Sequence, residues 1–197
     1  KGKAVEYTFT DIGRSFVLQR QREWENAGFN FLKYQVFDIE TDPSMQGLQL
    51  QSFDIILGLD VVHATRSIEH TIRNLKSLLA PNGMLMLLES TNAPRWLDMA
   101  FGLAEGWWYF DDAPLRTRSP LMHLDQWEET LGSLGFAEVA AFPQDKNLRA
   151  TTDMGLILAQ ETERGSHRET NSLDPQSVAY QVAKITELEA LGAEVMV

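Results

Sequence analysis

The chain has 197 residues, 44% of them hydrophobic, which is enough for one domain with a substantial core plus an appendage. Its formal net charge of −11 excludes a typical nucleic-acid groove, since phosphate binding needs clustered Lys and Arg. It has no cysteine, no apolar run long enough to span a membrane and no signal-peptide pattern, so we expect a cytoplasmic protein with no disulfide framework, no membrane contact and no metal site.

Strand and helix patterns alternate along the first 160 residues. Apolar runs of strand length predict strands at residues 5–10, 31–37, 53–58, 83–88, 136–142 and 154–158. Helical spacing and capping signals predict helices at residues 15–26, 64–79, 96–104 and 124–134. This order indicates an α/β fold with a parallel sheet and helices on both faces.

The composition changes after residue 160. Residues 161–174 are polar and almost without apolar side chains, which is typical of a linker. Residues 175–197 then predict a helix and the first residues of another strand. We therefore expect three segments, namely a main domain at 1–160, a linker at 161–174 and the start of a further α/β region at 175–197.

Polar side chains and glycines follow the predicted strands where each strand ends. In an alternating β/α order, ligands bind over the carboxyl ends of the strands. The sequence therefore predicts one crevice that contains Asp11, Asp38, Gly58, Asp60, His63 and Glu89.

Two of these acidic residues have two interpretations each. Asp11 could accept the hydroxyls of a ribose, or it could cap the following helix. Asp38 and Ile39 could bracket an adenine, with the carboxylate on the exocyclic amine and Ile39 on a ring face. Their segment is also typical of ordinary turn chemistry, which is the commoner origin of such a pattern taken alone.

His63 and Glu89 are the residues whose positions indicate a chemical role most specifically. An imidazole titrates near neutrality, as a proton acceptor requires, although a lone histidine is more often structural. A carboxylate at the end of the neighbouring strand would hold one ring nitrogen protonated and leave the other free as a base. The topology thus predicts that these two side chains meet.

The segment Gly106-Trp-Trp-Tyr-Phe110 is either a group of core aromatics or a mobile wall of a substrate site. In the second interpretation Trp107, Trp108 and Tyr109 contact the substrate. The nearby Arg116 and Arg118 could face a phosphate, although solvated charges are commoner.

With these residues in view, the sequence resembles the C-methyltransferase domain of polyketide synthases, a class I methyltransferase fold with a Rossmann-like sheet. The resemblance covers roughly residues 5–160, and its motifs occur in the order of the family. They are Tyr7-Thr-Phe-Thr-Asp-Ile12, Tyr34-Gln-Val-Phe-Asp-Ile-Glu-Thr-Asp-Pro43, residues 53–66, residues 73–83, Leu87-Leu-Glu89, Phe101-Gly-Leu-Ala-Glu-Gly-Trp-Trp108 and Asp125-Gln-Trp127.

The resemblance implies methylation of the α-carbon of a β-ketoacyl thioester, with S-adenosylmethionine (SAM) as the methyl donor. The substrate would be bound through phosphopantetheine to an acyl carrier protein, beside neighbouring synthase domains. His63 and Glu89 match the catalytic dyad of the family. By the same resemblance Asp11 holds the ribose of SAM, Asp38 and Ile39 its adenine, and the segment from Gly58 to Asp60 its methionine half. The tail is similar to the start of a ketoreductase region.

The sequence departs from the family in two places. The glycine-rich first motif is missing, so we expect the C-terminal part of such a domain, with an incomplete sheet and no activity on its own. Where the family often has a small residue, Ser and Asn, this chain has Gly58, Leu59 and Asp60, which adds a buried charge to the expected site. Two alternatives stay open, an inactive structural pseudo-domain of a polyketide synthase and an O-methyltransferase domain.

Overall fold

The computed structural model describes residues 5–29, 31–92 and 95–161. Apart from Glu161, the predicted linker and the predicted region at 175–197 lie outside the described residues. The strands in the described part are β1 (Tyr7–Asp11), β2 (Leu32–Val36), β3 (Phe53–Leu59), β4 (Leu79–Ser90), β5 (Glu138–Phe142) and β6 (Met154–Gln160). The α-helices are α1 (Arg14–Asn26), α2 (Ile68–Leu78), α3 (Arg95–Phe101), α4 (Leu124–Ser133) and α5 (Lys146–Arg149).

The strands form two sheets. β1 and β2 pair in parallel, with Phe9 opposite Tyr34. The second sheet has the order β3-β4-β6-β5, in which β3 and β4 are parallel while β6 is antiparallel to both β4 and β5. The prediction of parallel pairing therefore holds for β1 with β2 and for β3 with β4, while β5 and β6 make the second sheet mixed.

The main core lies between the four-stranded sheet and the helices α2 and α4. Alternate residues of β4 face this core, and the other set forms a smaller cluster with β6, which explains why β4 is apolar on consecutive positions. The fully buried members of the main core are Val62, Ile68, Ile72, Leu85, Leu87, Met122, Trp127, Leu131, Ala141, Ile157 and Ala159.

No helix in the described ranges is both long and apolar enough to cross a membrane.

One predicted helix and one predicted strand begin four residues away from their starts in the structure. The helix predicted from residue 64 begins at Ile68, because the Ser67 side chain accepts a hydrogen bond from the His70 N–H and caps the helix there. The strand predicted from residue 83 begins at Leu79. Proline has no backbone N–H to donate to a neighbouring strand. The strand can include Pro81 because its pairing with β3 is irregular at this point, so no hydrogen bond from residue 81 is needed.

Replacing Leu131 by alanine tests the packing of α4 on the sheet. Leu131 is fully buried, so its truncation leaves a cavity, and we expect the free energy of unfolding to fall by about 2–5 kcal/mol. The matched control is Leu148→Ala, because Leu148 is 56% exposed and should change stability by less than about 0.5 kcal/mol. Urea denaturation of the chain measures both values, and equal midpoints would contradict this account of the core.

Candidate active site

Glu89 is a charged residue in a core position. On β4 it follows Leu85 and Leu87 at two-residue spacing, so its side chain lies on the same face as these two leucines. Glu89 is 0% exposed. A buried carboxylate without partners would be strongly unfavourable, so its hydrogen bonds decide whether this position is tolerated.

The turn after β3 supplies those hydrogen bonds. The backbone N–H groups of Val61 and Val62 donate to Glu89 Oε1 at 3.1 and 2.9 Å. The backbone N–H of His63 donates to Oε2 at 3.3 Å. Three successive amides therefore surround the carboxylate, and the turn at residues 62–64, a short 3-10 helix, is shaped around it.

Asp60 fastens the start of this turn to β4. Its backbone has a positive φ of 51°, a conformation that Asp and Asn adopt more readily than most residues. Its N–H donates to Leu88 O at 2.7 Å, and its Oδ1 accepts the Ser90 N–H at 2.9 Å. The side chain is 43% exposed, so the expectation of a buried charge at Asp60 is wrong.

The predicted contact between His63 and Glu89 is present. His63 Nδ1 lies 2.7 Å from Glu89 Oε2 and 3.5 Å from Asp60 Oδ1, and His63 is only 7% exposed. The Glu89 carboxylate already accepts three backbone N–H groups, and at 2.7 Å it can only accept from His63 Nδ1 as well. The ring proton is therefore assigned to Nδ1. The other ring nitrogen, Nε2, is then an acceptor.

This arrangement suits proton transfer better than metal binding. Ligand atoms of Asp60, His63 and Glu89 lie within 4.8 Å of one another, a spacing that a metal ion could bridge. The two oxygens of Glu89, however, already accept four donors, and a metal ion would have to displace some of them. An imidazole held at Nδ1 by a carboxylate, with Nε2 as acceptor, is the arrangement of a general base.

One of the predicted aromatic residues lies beside this pair. The Trp107 ring packs edge-on against the His63 ring, with centroids 6.2 Å apart, and it stacks on Phe101. Trp108 and Tyr109 are about half exposed. The segment at 106–110 is therefore not a core cluster, and Trp107 is its member next to His63.

The structure separates the predicted cofactor residues into two groups. Asp60 contacts His63, and Gly58 lies on β3 close to Leu87, where an added Cβ would meet the leucine side chain at 2.8 Å. The packing of the buried Leu87 side chain thus favours glycine at position 58. Within the described ranges, the remaining predicted residues make no hydrogen bond, ion pair or ring contact with Asp60, His63 or Glu89; they are Asp11, Asp38 and Ile39.

Asp11 and Asp38 both take part in turns. Asp11 Oδ1 accepts the N–H of Gly13, the residue that precedes α1, and no hydrogen bond to Oδ2 occurs within the described part of the chain. The oxygens of Asp38 accept the Glu40 N–H and the Thr41 hydroxyl, each at 2.9 Å. Turn chemistry is therefore present at Asp38, while Asp11 keeps one oxygen for another donor.

Sequence reasoning missed Arg116. The sequence suggested either a phosphate contact or a solvated charge, and both interpretations are wrong for Arg116. Its side chain is buried, with the residue only 2% exposed, and its guanidinium donates hydrogen bonds to protein groups. Its ion pair with Asp112, four residues earlier, has a spacing that is typical of exposed helical pairs. Three of its carbonyl partners lie 50 to 53 residues away in sequence, and no local pattern points to them.

Comparison with known proteins identifies the family. Residues 2–85 match the model of a family described as a methyltransferase domain. The chain is 40% identical over 138 residues to a non-reducing polyketide synthase of Aspergillus terreus, a match that covers 70% of this chain and 5% of that synthase. The chain thus spans about one-twentieth of the curated relatives it matches.

Solved structures agree with this result. The CurJ carbon methyltransferase is 41% identical, with a TM-score of 0.73, and the match covers 80% of this chain and 42% of that one. A trans-methyltransferase, CalH, solved in complex with SAH, is 28% identical with a TM-score of 0.69, covering 80% and 43% of the two chains. The class I methyltransferase fold predicted from the sequence is therefore confirmed, and the chain belongs to the carbon methyltransferase domains of polyketide synthases.

Proposed function

We propose that this chain forms part of a SAM-dependent enzyme that methylates the α-carbon of a β-ketoacyl thioester on an acyl carrier protein. The observation that carries the proposal is the buried contact between His63 Nδ1 and Glu89 Oε2. It leaves Nε2 as an acceptor, which is what removal of a carbon-bound proton needs. The similarity to CurJ and to polyketide synthases supports the carbon atom as the methyl acceptor and other synthase domains as neighbours.

The chain's own residues would act as base and orienting group. The α-carbon between two carbonyl groups is already acidic, so His63 Nε2 removes its proton and leaves the carbon as an enolate nucleophile. Glu89 stabilises the resulting imidazolium through the hydrogen bond at Nδ1. When bound, SAM supplies an electrophilic methyl group. Trp107, against the His63 ring, keeps water from the base.

The cofactor residues proposed from the sequence fit SAM unequally. Asp11 has a carboxylate oxygen without a protein donor in the described residues, which suits a ribose hydroxyl. Asp38 is engaged by Glu40 and Thr41, so its contact with an adenine amine would use the remaining lone pairs. Ile39 packs at the margin of the main core and would cover an adenine ring face. Gly58 and Asp60 would flank the methionine half.

The aromatic segment at residues 106–110 would contact the substrate. Trp107 would form the wall nearest the reacting carbon because it contacts His63. Trp108 and Tyr109 are exposed to about half of their surface and are available to the acyl chain or to the phosphopantetheine arm.

The position of the new methyl group tests the function. In the complete methyltransferase that contains this chain, we expect SAM and a β-ketoacyl carrier protein to give the α-methyl product, identified by mass spectrometry and NMR. The control is an acyl carrier protein substrate without the β-keto group, which should not react because its α-proton is not acidified. A methyl ether on oxygen would favour the O-methyltransferase alternative. No transfer by a folded domain that binds SAM would favour the structural pseudo-domain.

A further inference from the structure

Arg116 is a buried cation beside the candidate base. Each of its five N–H groups has a hydrogen-bond acceptor. Nε donates to Asp112 Oδ1 at 2.7 Å. The two terminal nitrogens donate to backbone carbonyls, four in all, at 2.7 Å to His63, 3.5 Å to Pro120, 2.7 Å to Thr65 and 2.9 Å to Arg66.

Three of these carbonyls belong to the segment at residues 63–66, which begins with His63 and continues past the turn. Glu89 binds the N–H side of His63, and Arg116 binds its C=O side, so the backbone of this residue is held at both ends. Resting on the proposed function, we propose that Arg116 is a positioning residue that fixes the His63 ring against Glu89 and the substrate.

Asp112 links this guanidinium to the rest of the site. Its Oδ1 binds Arg116, and its Oδ2 accepts the Ile68 N–H at the start of α2 at 2.9 Å. The Phe110 ring lies 5.2 Å from the Arg116 guanidinium carbon, a cation–π distance. Arg116 therefore joins three parts of the chain: the segment at residues 63–66, the first residues of α2, and the aromatic segment that includes Trp107.

Lysine could not replace this arginine. A guanidinium is a planar group with five donors in a fixed geometry, whereas an ammonium is a single point with three donors. Lysine would keep the positive charge beside Asp112 but could not reach the carbonyls of His63, Thr65 and Arg66 together. The variant Arg116→Lys thus removes positioning while keeping the charge.

The kinetic test compares Arg116→Lys with Arg73→Lys in the complete methyltransferase. Because small displacements of a reacting group lower rates strongly, we expect kcat of Arg116→Lys to fall about 10- to 100-fold while KM for SAM is unchanged. Arg73 lies on the exposed side of α2, and its variant should match the wild type. A kcat equal to that of Arg73→Lys, or a parallel change in kcat and KM, would overturn the proposal.

A second readout needs no activity. Nitrogen NMR of the isotope-labelled chain reports the tautomer of each of the four histidines, with His63→Ala to assign the signal. We expect the wild type to show the Nδ1–H form at His63, and Arg116→Lys to lose this single form. A wild type without it would contradict the proposed dyad itself. A wild-type signal that Arg116→Lys leaves unchanged would contradict only the positioning role.

Asp112→Asn covers the case in which Arg116→Lys does not fold. This variant keeps the guanidinium and removes its ionic partner, so we expect a smaller fall in kcat, about threefold to tenfold, with KM for SAM unchanged. A kcat equal to that of Arg73→Lys would again overturn the proposal.

Discussion

Replacing His63 by alanine is expected to lower the rate of methyl transfer about 10²- to 10⁴-fold, since general-base catalysis contributes a factor of that size. His63 Nε2 is the acceptor left by the contact between Nδ1 and Glu89, and alanine has no group to replace it. Binding of SAM should change little, because the proposed ribose and adenine contacts belong to Asp11, Asp38 and Ile39. Single-turnover assays in the complete methyltransferase, together with calorimetry for SAM, separate the two effects.

The matched control is His70→Ala. His70 is an exposed residue of α2. Its backbone N–H donates to the Ser67 side chain, and because alanine has the same N–H, the substitution keeps the Ser67 cap of the helix. We expect wild-type turnover from this variant. If the two histidine variants had equal turnover, His63 would have no part in proton transfer, and the site would be better described as a structural pair.

The second large effect is expected for Glu89→Gln. The amide oxygen of glutamine could still accept the N–H groups of Val61 and Val62, but its NH₂ would face the His63 N–H and the ring nitrogen Nδ1. Two donors cannot bond to each other, so the ring must place its proton on Nε2 instead. The base is then lost, and an analogous loss of tautomer in a Ser-His-Asp triad costs about 10⁴ in turnover.

Stability gives an independent readout for the same variant. The buried N–H of His63 loses its acceptor, which should lower the free energy of unfolding by about 1–3 kcal/mol. Glu69→Gln on the exposed face of α2 is the control: turnover should not change, and loss of the exposed ion pair with Arg73 should lower the free energy of unfolding by no more than about 0.5 kcal/mol. Wild-type stability and an unchanged His63 tautomer in Glu89→Gln would contradict the hydrogen-bond arrangement described for Glu89.

The sequence was sufficient to predict that the side chains of His63 and Glu89 meet. Apolar runs at residues 53–58 and 83–88 that end in polar residues predicted two adjacent strands, and parallel pairing of β3 with β4 brings His63 to Glu89. This inference succeeds because the carboxyl ends of neighbouring parallel strands lie at the same edge of the sheet, so the residues that follow them are close together. The roles of the two residues in catalysis stay predictions.

Other features depend on contacts that a sequence pattern does not encode. The helix boundary at Ile68 follows from the cap at Ser67, and the residues before it are shaped by the buried carboxylate of Glu89. Arg116 binds carbonyl groups, which every residue possesses, so no particular residue type marks its partners. The exposure of Asp60 depends on its positive φ, which turns the side chain towards Ser90.

The division into two sheets has a consequence for work with the isolated chain. Among the described strands, β3 is the outermost of its sheet, and its sequence Phe53-Asp-Ile-Ile-Leu-Gly-Leu59 has a single charged residue and no proline or lysine. Exposed edge strands of this kind readily pair with a strand of a second molecule. Purified material should therefore self-associate as its concentration rises, and a lysine at Ile55, which is 47% exposed, is a rational solubilising substitution for biophysical measurements.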